Sequence, residues 1–232
     1  MVFLWLVVLV GVGCLQRYVC QCVVWLCIAF PFSVNVQASD FFTLVTQGDV
    51  EAVEAVLTTR FVSLEQRNDE GDTPLLFAAR SRHFEMFDLL VRHGANINVL
   101  AGNDRDILNL SVRLSSPELA KKALAAGIYT GTFTPRYQGS ALIFASAEGE
   151  AEIVEAILKA GAPINRRNNL GWTALQEAVI LGDGSEVYQR IIRSLLMAGA
   201  DKTMVDNNGN TPLNNAKDKG QLSVAALLQS GK

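Results

Sequence analysis

Cysteine is missing from everything that follows Ala38, and histidine occurs only twice in the 232 residues, at His83 and His93. A cysteine-free stretch of that length tolerates an oxidising compartment, which fits export. Charge of one sign is not in large excess either. The residues after Ala38 carry 19 basic and 23 acidic side chains, a formal charge of -4. Duplex nucleic acid is bound through a basic face that displaces counterions, so this balance argues against a nucleic-acid partner. The sequence also lacks a glycine-rich phosphate loop, a metal-ligand spacing and a nucleophile elbow. Catalysis needs converging groups of that kind, so no enzyme activity, cofactor or metal is expected.

Charge is scarcest at the start. Residues 1–38 hold one charged side chain, Arg17, and all four cysteines (Cys14, Cys20, Cys22 and Cys27). With Val, Trp and Leu around them and no acid or histidine near, these cysteines read as small apolar residues of a membrane-directed segment. Arg17, the apolar run Tyr18–Phe30 and the small-x-small tripeptide Val36-Gln37-Ala38 have the order of a secretory signal, with cleavage after Ala38 and Ser39 as the new first residue. Residues 1–15 are then surplus, as they would be if translation began later, at a valine such as Val12. The alternative is an uncleaved inner-membrane anchor, since the apolar stretch exceeds the ~20 residues a spanning helix needs. Arg17 near its middle would cost roughly 3 kcal/mol on insertion. Both readings put the rest of the chain outside the cytoplasm, periplasmic or secreted in the first case, and the membrane is met only through the leader.

What is plentiful is repetition. The segments His93-Gly94-Ala95, Ala126-Gly127-Ile128, Ala160-Gly161-Ala162 and Ala198-Gly199-Ala200 each follow an apolar run of helical period. Their glycines stand 33, 34 and 38 residues apart. A leucine precedes each of the first three by 19 residues (Leu75, Leu108 and Leu142), and Leu175 precedes the fourth by 24. The five extra residues are expected around 181–187, between two helices. Thr before Pro or Ala at the head of each unit offers a cap, and Pro suits the first helical position. The glycines are expected as helix C-caps of positive φ. A fixed period of this kind marks a solenoid.

Gly71-Asp72-Thr73-Pro74-Leu75 and Gly209-Asn210-Thr211-Pro212-Leu213, with Gly171-Trp172-Thr173-Ala174-Leu175, resemble the ankyrin repeat family's Gly-x-Thr-Pro-Leu signature. Ser140-Ala141-Leu142 is a softer match and Asp104-Arg105-Asp106-Ile107-Leu108 a degenerate one. The resemblance spans Asp40 to Leu228. It implies an all-α solenoid of about six helix-turn-helix units, near 40–67, 68–101, 102–134, 135–167, 168–205 and 206–232, behind the apolar leader.

The resemblance also implies a mode of action, the binding of a partner protein along a concave groove of turn tips and first helices, by a chain that is monomeric when free and serves as an adaptor, an inhibitor or a neutraliser of a toxin or enzyme. The alternatives are a structural or stress-protective envelope protein without one tight partner, or a secreted effector directed at host proteins. On these positions the tips carry Asp72, Arg105, Trp172 and Asn210, with Tyr137 near the third. The first helices carry Arg80, Arg113 and Ile180. Trp172 and Ile180, flanked by Tyr137, Arg105 and Arg113, are expected to form an aromatic and arginine patch of the sort that dominates binding hot spots. Asp104 and Asp106 read as a solvated turn tip.

Overall fold

The structure is a computed structural model that describes residues 38–101, 106–134 and 138–230. The leader falls on residues 1–37, outside the described residues. Among the described residues every regular element is helical, and no helix is long and apolar enough to cross a membrane. Twelve helices form six consecutive pairs: α1 (Ala38–Gln47) with α2 (Val50–Thr59), α3 (Pro74–Arg80) with α4 (Phe84–Arg92), and α5 (Ile107–Arg113) with α6 (Pro117–Ala125). The series continues with α7 (Ala141–Ala147) and α8 (Ala151–Lys159), α9 (Ala174–Ile180) and α10 (Glu186–Met197), and α11 (Pro212–Asp218) and α12 (Leu222–Ser230).

Local chemistry sets these boundaries. Thr73, Thr173 and Thr211 sit in extended backbone, and each hydroxyl accepts the N–H three residues on, which would otherwise have no partner. Ser140 does the same for α7 and Asp106 for α5. Asp106 is therefore not part of a solvated tip. It is 2 % exposed, its carboxylate accepts from the backbone N and the side-chain Nδ2 of Asn109, and it takes the place of threonine in the degenerate signature. At the other end, Gly94, Gly127, Gly161 and Gly199 have φ between 78° and 93°. Each lets the following N–H turn back to the carbonyl five residues earlier, as Ala95 does to Leu90 and Ala200 to Leu195.

First helices pack on neighbouring first helices, second helices on second helices, and the two layers on each other. The first layer is close because its facing residues are small: Ala78, Ala79, Ala145, Ala178 and Ala216 are all essentially fully buried. The second layer supplies bulk through residues such as Leu89, Leu90, Ile153, Ile157 and Leu195, all at 0 % exposure. Each such side chain contributes about 2 kcal/mol of burial.

The extra residues of the fifth unit are not confined to a loop. Three residues separate α3 from α4, α5 from α6, α7 from α8 and α11 from α12, whereas five separate α9 from α10. α10 is twelve residues long against nine for α4, α6, α8 and α12. Two of the five extra residues thus lengthen the connection and three lengthen the helix, so Glu186 and Val187 are helical. The connection is held from both sides. Tyr188 donates its hydroxyl to Ala147 O at 2.9 Å, and Gln221 Nε2 reaches Val179 O and Gly182 O.

Neighbouring units are also joined at the loops that follow the second helices. Glu65 accepts the N–H of Asn96, Asn98 that of Tyr129, and Asn165 that of Asp201. The rung expected between the second and third of these would use position 163, which is proline and has no N–H. A side chain bridges the gap: Arg166 Nη1 donates to Gly131 O at 3.0 Å, and its guanidinium lies 4.0 Å from the centre of the Phe133 ring.

Candidate partner-binding face

The turns between units are built alike. Asn68 Oδ1 accepts from Glu70 N and Asp72 N, Asn168 Oδ1 from Leu170 N and Trp172 N, and Asp206 Oδ1 from Asn208 N and Asn210 N. In each, the backbone N–H of the first residue closes the turn on the carbonyl of the fifth. These turns and the outward flank of the first helices form one continuous face. Asn68, Asn168 and Asp206 stand four residues before the tip residue, a signal readable from the sequence but easily passed over beside Thr-Pro-Leu.

The expected site residues divide on this face. Trp172 is half-buried at the fifth turn and Ile180 half-buried at the end of α9. They share a unit but stand at opposite ends of a seven-residue helix, roughly 10 Å apart along its axis. Arg113 is exposed at the end of α5. It lies two units from Ile180, roughly 20 Å at ordinary helix spacing. The three therefore lie along an extended strip and make no compact cluster. Arg105 and Tyr137 lie outside the described residues.

Asp72 is not available as a surface contact. It is 0 % exposed, and its Oδ1 accepts from Arg80 Nη2 at 2.6 Å. Arg80 is half-buried and reaches Glu70 Oε2 with Nη1 at 3.0 Å, so this pair stabilises its own turn. Burial pushes the Asp72 carboxyl upward, and Arg80 opposes that rise. Asn210, half-buried, is committed through its backbone: its N–H goes to Asp206, and its carbonyl accepts from Asp206 N and Gln176 Nε2.

Two residues that belong to the face were missed from sequence. Two positions after each signature leucine come Phe77, Leu110, Phe144, Glu177 and Asn215. Phe77 and Phe144 are half-buried aromatics on the first helices, and Phe77 meets Phe42 edge to face at 5.8 Å. Glu177 is the odd member of this row. It is 6 % exposed, Oε1 accepts from Asn168 Nδ2 at 2.7 Å, and buried Oε2 has no partner. Burial, opposed by the Asn168 hydrogen bond, lifts its carboxyl to about 7. The sixth unit has the same pair reversed, with Asp206 in the turn and Asn215 on the helix, 3.2 Å apart.

The pattern of ankyrin repeats (3 copies) matches residues 20–101, 41–134, 108–206 and 142–232 in overlapping windows. The chain belongs to the ankyrin repeat family. The ankyrin repeat protein YahD of Escherichia coli (strain K12) is 30 % identical over 200 residues, covering 84 % of this chain and 97 % of that protein. An ankyrin repeat domain from Acinetobacter baumannii AYE matches with a TM-score of 0.76 at 30 % identity, over 82 % of this chain and 96 % of that one. One chain of a structure of the predatory endopeptidase Bd0816 from Bdellovibrio bacteriovorus, in complex with immunity protein Bd3460, has the same fold. Its TM-score is 0.66 at 23 % identity, over 83 % of this chain and 97 % of that one. Ankyrin stacks act through protein–protein contact, and the described residues of this chain consist of repeats alone. Among them no group of three or more His, Cys, Asp or Glu residues is placed to hold a metal ion. The two histidines stand singly at the two ends of α4.

Proposed function

We propose that this chain is an exported ankyrin module that holds a partner protein against its turns and first helices, as an adaptor, an inhibitor or a neutraliser of a toxin or enzyme. The carrying observation is the strip of half-buried apolar side chains on that face: Phe77, Phe144, Trp172 and Ile180, with exposed Arg113 among them. Large, partly buried aromatic and arginine side chains are the groups that dominate protein interfaces. A complex containing an immunity protein includes a chain of this fold, which gives a precedent for a fold-mate in a protein complex and says nothing of this chain's partner. Export rests on the leader read from sequence.

The test is expression of the full chain with a C-terminal tag in a bacterial host, followed by mass spectrometry of its N-terminus and of proteins that co-purify. The expected result is a chain beginning at Ser39 with one stoichiometric companion, which Trp172→Ala releases. An intact leader and no companion would overturn both parts of the proposal.

A further inference from the structure

The fifth turn holds a carboxylate oxygen that nothing in the described structure satisfies. Oε2 of Glu177 is closed to solvent and makes no hydrogen bond, although Oε1 is bonded to Asn168. A buried polar atom without a partner costs roughly 1–3 kcal/mol, so folded proteins seldom keep one without use. The reversed pair in the sixth unit shows the cheaper arrangement: there the carboxylate belongs to Asp206 and is met by two backbone N–H groups and by Asn215. Moving the carboxylate from turn to helix gives up those donors.

Register shows what lies above Glu177. In the fourth unit the tip residue is Gly139, and a Cβ there would come 3.0 Å from Phe144 Cζ, so tip and second-position side chains stand against each other. Trp172 and Glu177 occupy those two positions in the fifth unit. An aromatic ring that keeps part of its surface in solvent thus stands at the register of an unpaired carboxylate. An indole face and a carboxylate are the two groups that attract an ammonium or guanidinium.

We infer that the fifth turn is an anchor site for a lysine or arginine side chain of the partner, which enters beside Trp172 and pairs with Glu177 Oε2. This deepens the reading of the face as a partner-binding surface and rests on it. Entry would require side chains at this register, Trp172 among them, to rotate aside, while Asn168 holds the backbone of the turn. Among the described residues no competing cation is in place: α7 has no charged residue, and no charged group of α10 or α11 acts on the Glu177 carboxyl. Lys219 instead reaches Ile180 O, and Arg167 reaches Gly171 O and Asn207. Asp206, in the next turn, is engaged by its own donors. Because pairing requires the ionised carboxyl, binding expels a proton below neutral pH and weakens as the solution is acidified through 7.

A random peptide library displayed on phage, selected at pH 8 on the full chain as purified from cells, tests this. The expected peptides carry a fixed Lys or Arg, bind Glu177→Gln about tenfold or more weakly, and lose affinity between pH 8 and pH 6 on the wild type but not on Glu177→Gln. Peptides that Trp172→Ala and Ile180→Ala release, but with no basic residue enriched or no response to Glu177→Gln, would overturn the anchor and leave the binding face standing. Peptides indifferent to Trp172→Ala and Ile180→Ala, or none recovered, would overturn both. Thermal melts of each variant separate loss of binding from loss of fold.

Discussion

Glu177 in the folded chain keeps its proton to about pH 7, because burial penalises its charge, whereas its ordinary value is 4.5. Between those two values the folded chain binds a proton that the unfolded chain has already released. Stability therefore falls as pH rises through that window and stays low above it. Glu177→Gln removes the ionisation and keeps an oxygen for Asn168. It is expected to unfold at higher urea than the wild type at pH 8, by roughly 1–3 kcal/mol, and at the same urea at pH 4. A second residue-scale case runs the other way. Asp72 is fully buried against Arg80, so Arg80→Met strands a carboxylate and is expected to cost roughly 1–3 kcal/mol in a denaturant titration at pH 7. Neither case follows from the local sequence. Asp72 and Glu177 occupy positions that an alignment of the units marks as outward, and only the packing of the turns above them shows that they are covered.

At the scale of the element, the helices were legible because their boundaries are chemical. Thr-Pro, Ser-Ala and Asp-Ile all place an oxygen before the first turn and an undemanding residue at its start. Glycine of positive φ closes the second helices in four units. Asp106 reads from sequence as half of a solvated carboxylate pair with the aspartate at 104, but a capping aspartate fits that position equally well, and the structure has it as the cap of α5. The length of α10 was not legible. Its extra turn carries Glu186 and Val187 in a stretch begun by Gly182-Asp183-Gly184, and local propensity there favours a loop. The capping argument makes a prediction for α9, which begins Thr173-Ala174. Thr173 has ψ 171°, the extended conformation that proline requires of its predecessor, and Ala174 is the first helical residue. Ala174→Pro completes the signature and is expected to stabilise the chain by about 0.4–1 kcal/mol, read as a raised denaturation midpoint.

In the whole molecule, each unit touches only its neighbours, so stability passes along the stack as a chain of nearest-neighbour terms. Among the described residues α1–α2 and α11–α12 have a neighbouring pair on one side, and Leu222 is 81 % exposed on the last helix. The second layer is further tied by ion pairs between units, Asp88 with Lys122, Lys121 with Glu152 and Glu155 with Arg190. Native-state hydrogen exchange is expected to show α12 and α2 opening first and α7 and α9 last. Uniform protection along the stack would contradict the nearest-neighbour account. The face proposed for binding crosses the units expected to be most protected, which suits a surface that binds without ordering itself first.

The proline at position 163 gives the stack a property of a different kind. Where other loops are stitched backbone to side chain, the joint between Gly131 and Arg166 depends on one guanidinium that can let go and return. That joint opens and re-forms by a side-chain movement alone, while the helices of the third and fourth units stay packed on one another and Lys121 stays paired with Glu152 across the same boundary.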